Sequence, residues 1–249
     1  MAEKKIESWL DEGDTTSEIL VEEPKIYEKK VVAWLDILGI RAMIKKEEEN
    51  SAQDIITLMR TLRSFVVQEC GRYEEEHQMD SLQIADGFMI ASTIDRINEL
   101  CEAIATIQWR ILTELNMLAR GAITIGNVSV ADEGTIIIGP AYVDAYALES
   151  ENAYFARTVV SSEFISNSKD LLDFEFIVED ADKTNYIDYV GFAQKKEGKT
   201  AEELSRLLEN NGCIDFLQNG FHNDNVSIRQ KYGWTIALLQ KHNAISLNI

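Results

Sequence analysis

Two aspartates stand at the ends of apolar segments, where a carboxylate can bind a metal ion. Asp36 follows the run VVAWL and Asp86 follows LQIA, so each is expected where a buried strand meets solvent. A charge in such a place costs several kcal/mol unless it is paired, protonated or bound to a cation. We therefore interpret Asp36 and Asp86 as ligands of one or two divalent ions that bind a nucleoside triphosphate.

The charge of the chain limits what it can bind. The 249 residues carry a formal net charge of −19 at pH 7. This argues against a general DNA- or RNA-binding surface, because such surfaces neutralise phosphates with Lys and Arg. The same charge would repel a triphosphate, so metal ions and a few local cations are required at any triphosphate site.

Composition favours one folded domain. With 45% hydrophobic residues and only two prolines, the chain can form one core and shows no internal linker. Residues 1–27 are rich in Asp and Glu, and we expect them to form a loosely held acidic arm. Residues 28–249 are then the domain that carries the site.

Cysteine usage and hydropathy predict a cytoplasmic protein. The three cysteines are far apart in the sequence and form no Cys/His cluster, which predicts free thiols and no zinc site. The N-terminus has no signal-peptide pattern, and no run approaches the roughly 18 apolar residues of a membrane span. We therefore expect no membrane partner.

The segments around the two aspartates predict an α+β fold. Residues 30–37 are apolar and β-branched, which is typical of a strand, and residues 51–78 repeat apolar side chains at helical spacing. Residues 81–93 predict two short strands joined at Asp86-Gly87, since Asp-Gly is a strong hairpin signal. A second helix is expected over residues 94–118.

The following segments complete a βαββαβ order, the ferredoxin-like arrangement. Residues 119–139 predict two β-rich runs, with turns at Gly126-Asn127 and at 132–134, and a helix begins near Pro140. In this topology Asp36 and the hairpin turn belong to neighbouring strands. Later strands and helices are predicted in residues 157–164, 173–180, 184–192 and 229–243.

Short motifs in residues 30–162 carry a resemblance to a known family. Residues 35–40, LDILGI, are similar to strand-Asp-Ile-x-Gly-Phe, with Ile40 replacing the aromatic residue, and residues 85–88, ADGF, are similar to a hairpin with a second metal-binding aspartate. The strand RGAITIG, from Arg120 to Gly126, resembles RGxIxxG. Together these motifs resemble the catalytic domain of class III nucleotide cyclases.

The predicted helix after Pro140 resembles the cyclase helix G-x-x-V-N-x-A-x-R-L-E with two departures. Asp144 stands in place of the Asn, and Leu148 in place of the Arg that contacts the transition state. This helix, Arg157 before the next strand, and the stretch from Arg229 to Asn243 resemble the bacterial pyrimidine cyclases of the Pycsar antiphage systems. The resemblance implies UTP or CTP as substrate, with UTP favoured, and a homodimer.

The resemblance also implies roles for individual residues. Asp36 and Asp86 would bridge two Mg²⁺ or Mn²⁺ ions, with the backbone carbonyl of Ile37 as a further ligand, because oxygen donors suit these metals. Backbone amides at the start of a helix would bind phosphate. These amides belong to Leu38, Gly39 and Ile40.

Two arginines are candidates for phosphate or transition-state contacts. A guanidinium can bind phosphate oxygens in bidentate fashion, which makes Arg120 and Arg157 catalytic candidates. Arg120 has an alternative interpretation as a structural salt bridge on this acidic protein. Asp144 and Glu149 are five residues apart and do not share a helix face, which favours solvated acids.

Two other functions remain open from the sequence. One is a cyclase-like module that senses a nucleotide without turnover. The other is a purine cyclase, which would need another residue in place of the missing arginine.

Overall fold

The computed structural model describes residues 27–46, 52–72, 79–131 and 136–246. The elements of the first half are β1 (Glu28–Leu38), α1 (Ile40–Lys46), α2 (Gln53–Cys70), β2 (Asp80–Ile84), β3 (Gly87–Thr93), α3 (Ile97–Leu115), β4 (Leu118–Ala131), β5 (Ile136–Ile138) and α4 (Pro140–Asn152). The second half contains β6 (Thr158–Val160), α5 (Ser162–Asn167), β7 (Ile177–Glu179), β8 (Asn185–Ile187), α6 (Tyr189–Glu197), α7 (Ala201–Asn210), α8 (Cys213–Phe221) and α9 (Val226–Lys241).

One mixed sheet organises these elements. Its strand order is β2-β3-β1-β4-β6-β8-β7, and β5 pairs with β4. The first four strands are antiparallel to their neighbours, whereas β6 runs parallel to β4. This confirms the predicted βαββαβ core with additional strands and helices toward the C-terminus.

Alternate side chains of β1 pack into two different cores. One set is part of the main core, to which α2 and α3 also contribute. It consists of Val31, Ala33, Leu35 and Ile37. The other set, Val32 and Trp34, belongs to a smaller cluster with Ala141 and Ala145 of α4. Because side chains alternate along a strand, Asp36 follows Trp34 on the α4 side of the sheet.

The predicted turn at Gly126-Asn127 is wrong. β4 continues through both residues. A Cβ added to Gly126 would lie only 3.0 Å from the Cβ of Ala141. The glycine therefore permits close packing of α4 on the strand, and does not mark a turn.

The strand predicted over residues 184–192 is too long. β8 ends at Ile187, and the Asp188 carboxylate accepts a hydrogen bond from the amide of Gly191 at 3.0 Å. This cap starts α6, so a helix replaces the second half of the predicted strand.

Several predicted features lie outside the described residues. They are the acidic arm apart from Tyr27, the end of the helix predicted over 51–78, and the turn at 132–134. The domain boundary at residue 27 stays a prediction. In the part of the chain that the structure describes, no helix is both long and apolar enough to cross a membrane.

We predict that Gly121→Ala destabilises the junction of β1 and β4. The added Cβ would lie 2.4 Å from the carbonyl oxygen of Trp34 and 2.8 Å from Cδ2 of Leu35, so the paired strands must shift. Such overpacking lowers the free energy of unfolding by about 1–3 kcal/mol. Urea denaturation measures the loss, and Asn127→Ala, at an exposed position of the same strand, is the control. Equal stability of the two variants would contradict the prediction.

Candidate active site

An open pocket of about 860 Å³ lies at the end of β1 on the side covered by α4. Its wall is formed by the β1–α1 junction, the β2–β3 turn, β4, α4 and the start of α9. The lining residues that the site depends on are Trp34, Asp36, Ile37, Leu38, Gly39, Arg41, Lys45, Asp86, Arg120, Tyr142, Tyr146, Glu149 and Lys231.

The structure brings the two predicted metal-site aspartates together. Asp36 pairs in register with Gly87, so Asp86 occupies the adjacent position in the hairpin turn. Ala85 has a φ of 54°, and this left-handed residue completes the tight turn. Burial raises the pKa of Asp36, and the nearby charge of Asp86 raises it further. The proximity is as the sequence predicts, and the metal-binding role stays a prediction.

Arg120 links Asp36 to a third carboxylate. It faces Asp36 across the β1–β4 ladder, and its Nε donates to Asp36 Oδ2 at 3.0 Å. The same Nε lies 2.5 Å from Oε1 of Glu149 on α4. Burial raises the pKa of both carboxyl groups, whereas the charge of Arg120 lowers both.

Glu149 corrects one expectation from the sequence. Asp144 is exposed, as expected for a solvated acid, but Glu149 is buried, with 2% of its surface exposed. The sequence could not reveal this because the partner, Arg120, lies on a strand 29 residues earlier in the chain. Arg120 therefore forms a salt bridge, as its alternative interpretation predicts. It also lines the pocket, where a bound phosphate would compete with the carboxylates for its guanidinium group.

Among the residues that the structure describes, four cations line the pocket of this acidic protein: Arg41, Lys45, Arg120 and Lys231. Three acidic side chains, Asp36, Asp86 and Glu149, lie in the same wall. The balance of positive and negative charge at the pocket therefore differs from that of the whole protein, whose net charge is −19. Burial lowers the pKa of Lys231, as does the charge of Arg120, while Asp36 and Glu149 raise it.

Three of these cations, Arg41, Lys45 and Lys231, have no role predicted from the sequence motifs. Lys231 lies in the stretch 229–243 that carries part of the family resemblance, which was a usable signal. Arg41 and Lys45 follow Gly39 on α1, within the first turns after the predicted phosphate-binding amides.

The predicted phosphate-binding segment lies at the pocket. Leu38 and Gly39 line it, and Gly39 has a φ of 100°, a conformation that favours glycine. The Gly39 carbonyl accepts hydrogen bonds from the amides of Ala42 and Met43 at 3.0 and 3.1 Å as α1 begins. The side chain of Ile40 is buried in the main core. Any contribution of Ile40 to anion binding is therefore restricted to its backbone amide.

The structure does not place Arg157 at the pocket. Its side chain is fully buried and forms ion pairs with Asp180 and Asp182. The pKa of Asp182 is lowered chiefly by its hydrogen bond from Arg157. This geometry corrects the expected phosphate contact, because the guanidinium is already bound by two carboxylates away from Asp36 and Asp86.

The side chains at the pocket fit a hard divalent cation in their donor type. Asp36 and Asp86 supply carboxylate oxygens, and Ile37 lies at the pocket where its carbonyl is a further candidate. Within the described segments, no group of three or more His, Cys, Asp or Glu side chains is arranged to hold a metal. Mg²⁺ commonly binds through one or two carboxylates together with substrate phosphates and water, and this donor set agrees with that pattern.

Known structures share the fold. No protein-family model and no curated protein sequence matches the chain. A bacterial light-regulated adenylyl cyclase superposes with a TM-score of 0.50 at 12% identity, over 70% of this chain and 57% of that chain. The catalytic core of a rhodopsin-guanylyl cyclase in complex with ATPαS gives 0.47 at 16% identity, over 66% and 96%. The similarity to the adenylyl cyclase confirms the class III cyclase-like fold, and at 12% identity it shows the fold alone.

We predict that Arg120→Met destabilises the protein more at high pH than at low pH. The pKa values of Asp36 and Glu149 are raised on folding, so the stability linked to these groups is present at low pH and is lost as pH rises through the raised values. Arg120 limits this loss because it lowers both pKa values.

The expected decrease in the free energy of unfolding is about 2 kcal/mol at about pH 8 and clearly smaller at about pH 5. Denaturant titrations at the two pH values measure it. Arg120→Lys retains the charge and is the matched control. A pH-independent loss for Arg120→Met would contradict the electrostatic explanation.

Proposed function

We propose that the protein is a pyrimidine nucleotide cyclase that converts UTP, or CTP, to the 3′,5′-cyclic monophosphate and pyrophosphate. The observation that carries this proposal is the meeting of Asp36 and Asp86 at one cation-lined pocket of a class III cyclase-like fold. A triphosphate needs both metal-binding carboxylates and local cations in a protein of this charge.

The proposed reaction is intramolecular. The ribose 3′-oxygen forms a bond to the α-phosphorus, the bond from that phosphorus to the β-phosphate oxygen breaks, and the 3′-hydroxyl proton is released. Mg²⁺ or Mn²⁺ held by Asp36 and Asp86 would neutralise phosphate charge and acidify the 3′-hydroxyl. Arg41 and Lys45 lie exposed at the pocket beside the α1 amides, where they can bind the leaving pyrophosphate.

Two side chains of α4 support a pyrimidine substrate. Asp144 is exposed and does not line the pocket, and Leu148 packs against a small apolar cluster that contains Ala122, Ala153 and Val159. Neither position offers the amide or guanidinium that purine cyclases generally have there. The aromatic wall of the pocket, formed by Trp34, Tyr142 and Tyr146, offers apolar surface to a base.

The resemblance to Pycsar cyclases extends the proposal to a biological role. The product would act as a second messenger in antiphage defence, and the enzyme would work in the cytoplasm.

We predict that the purified protein with Mn²⁺ produces more cyclic UMP than cyclic CMP, and little product from ATP or GTP. Asp36→Asn and Asp86→Asn should each lower kcat by at least about 10²-fold, because each removes a charge at the reacting phosphate. Chromatography of the cyclic nucleotides and a pyrophosphate assay measure the rates. Asp215→Asn, at an exposed position on α8, has the same charge change and should retain activity.

Other outcomes would identify the competing functions. Folded protein that forms no product from any of the four nucleotides would overturn the cyclase proposal. Faster turnover of ATP or GTP would establish the purine alternative. Nucleotide binding that survives both aspartate substitutions, without turnover in the wild type, would favour a sensing module.

We also propose that the enzyme works as a homodimer. The α4 helix that contributes to the pocket presents Val143, which is 60% exposed, and Tyr146, which is 51% exposed. Ile138, two residues before this helix, is 54% exposed. Exposed apolar side chains next to a site are typical of a protein interface. The family resemblance implies that the partner at this interface is a second copy of the chain.

We predict that Val143→Glu shifts the protein from dimer to monomer. A charge at the centre of an apolar interface cannot be solvated there and weakens association. Sedimentation velocity over a concentration series measures the shift. Val67→Glu, on an exposed position of α2, is the matched control. A wild type that stays monomeric at high concentration would exclude the dimer.

A further inference from the structure

The C-terminal helix α9 forms one wall of the pocket. Although it lies outside the ferredoxin-like core, it contributes Ser227, Ile228 and Lys231 to the lining, and its N-cap residue Asn225 also belongs there. The Asn225 side chain accepts hydrogen bonds from the amides of Ser227 and Ile228 at 2.9 and 3.3 Å, which fixes the start of the helix.

Lys231 differs from the other cations of the pocket. Arg120 is engaged with Asp36 and Glu149, and Arg41 and Lys45 are exposed on α1. Lys231 is partly buried, and among the described residues no hydrogen bond or ion pair within 4 Å involves its ammonium group, although the charges of Asp36 and Glu149 raise its pKa. A partly desolvated and unpaired ammonium in a pocket wall is prepared to bind an anion.

A cluster of polar and aromatic residues holds α9 in this position. Trp234, one turn beyond Lys231, donates from Nε1 to Asp180 Oδ2 at 2.8 Å. Asp180 also accepts from Arg157, whose Nη2 donates to Asp182 at 2.5 Å. The Trp234 ring is stacked on Phe155, with centroids 6.2 Å apart and planes inclined by 7°. We call these residues the Trp234 anchor.

The anchor connects α9 to the β-sheet. Arg157 immediately precedes β6, and Asp180 and Asp182 lie between β7 and β8. Tyr186 of β8 contacts the Trp234 ring edge-to-face at a centroid distance of 5.2 Å. The helix is therefore attached to the sheet, through Tyr186 and through residues that flank the strands, close to the residue that enters the pocket.

We propose that Lys231 binds the triphosphate of the substrate, and that Arg157, Asp180 and Trp234 are positioning residues that act through it. This inference rests on the proposed function, because it takes a nucleoside triphosphate as the ligand. A role for Lys231 in merely compensating buried acids is less consistent with the geometry, since Arg120 already contacts both Asp36 and Glu149.

The first experiment measures phosphate binding without turnover. Inorganic tripolyphosphate cannot be cyclised, and calorimetry in a Mg²⁺ buffer gives its Kd. Lys231→Met should weaken binding about tenfold, and Lys231→Arg should retain most of the affinity. Arg229→Met removes one positive charge from an exposed position of the same helix and should have little effect.

The second experiment tests the positioning role with a double-mutant cycle. Trp234→Phe preserves an aromatic ring but removes the donor to Asp180. It should weaken tripolyphosphate binding about threefold to tenfold in the wild-type background and cause no further loss in the Lys231→Met background. A merely structural role would weaken binding equally in both backgrounds.

The outcomes separate this inference from the cyclase proposal. Wild-type affinity in Lys231→Met, or an equal loss in Arg229→Met, would overturn the contact. Additive losses in the cycle would overturn the positioning role. If the wild type binds tripolyphosphate through Lys231 but cyclises none of the four nucleotides, the inference stands and the cyclase proposal fails. If the wild type cyclises UTP but Lys231→Met binds tripolyphosphate as tightly as the wild type, the cyclase proposal stands and this inference fails.

Discussion

The pairing of β1 with β4 is the constraint on which the site depends. It fixes Asp36 opposite Arg120, and Arg120 in turn contacts Glu149 on α4. A shift of one residue would turn Asp36 toward the apolar core that includes residues of α2 and α3, away from Arg120. The apolar side chains on both faces of the strands thus fix the register, and the register determines where the Asp36 carboxylate lies.

The same pairing explains how three carboxylates are tolerated at one place. Asp36, Asp86 and Glu149 repel one another, and partial burial strengthens the repulsion. Arg120 offsets part of it by direct contact with two of them. The remaining negative charge is suited to a divalent cation, while the cations at the periphery are suited to phosphates. Such a local field would favour the proposed metal–triphosphate complex in spite of the net negative charge of the protein.

The sequence was most informative where structure is local. The strand before Asp36, the hairpin around Asp86 and the helix after Pro140 follow from apolar runs, turn chemistry and a favoured proline position. The turn itself is one residue earlier than predicted, because Ala85 and Asp86 form it and Gly87 already pairs with Ile84 as the first residue of β3. Local patterns failed at Gly126, where close packing of α4 on the strand explains the glycine. They failed again after Ile187, where the side chain of Asp188 starts a helix.

The site was harder to predict because its partners are distant in sequence. The burial of Glu149 depends on Arg120, and the fate of Arg157 depends on Asp180, 23 residues later. Neither relation has a local signature. The resemblance identified Arg157 and the 229–243 stretch separately, and the structure joins them through the hydrogen bond of Trp234 to Asp180.

This junction gives a physical reason for an arginine in a buried position. Arg157 has no exposed surface, and a buried ion pair is often no more stabilising than apolar side chains of similar volume. Its hydrogen bonds to Asp180 and Asp182 require a defined geometry, which fixes the position of the Asp180 carboxylate. Asp180 in turn accepts a hydrogen bond from Trp234 and so orients the side chain of that residue. An apolar core would hold α9 against the sheet but would fix its rotation less closely. Because Lys231 is three residues from Trp234, the rotation of α9 determines whether its ammonium group faces the pocket.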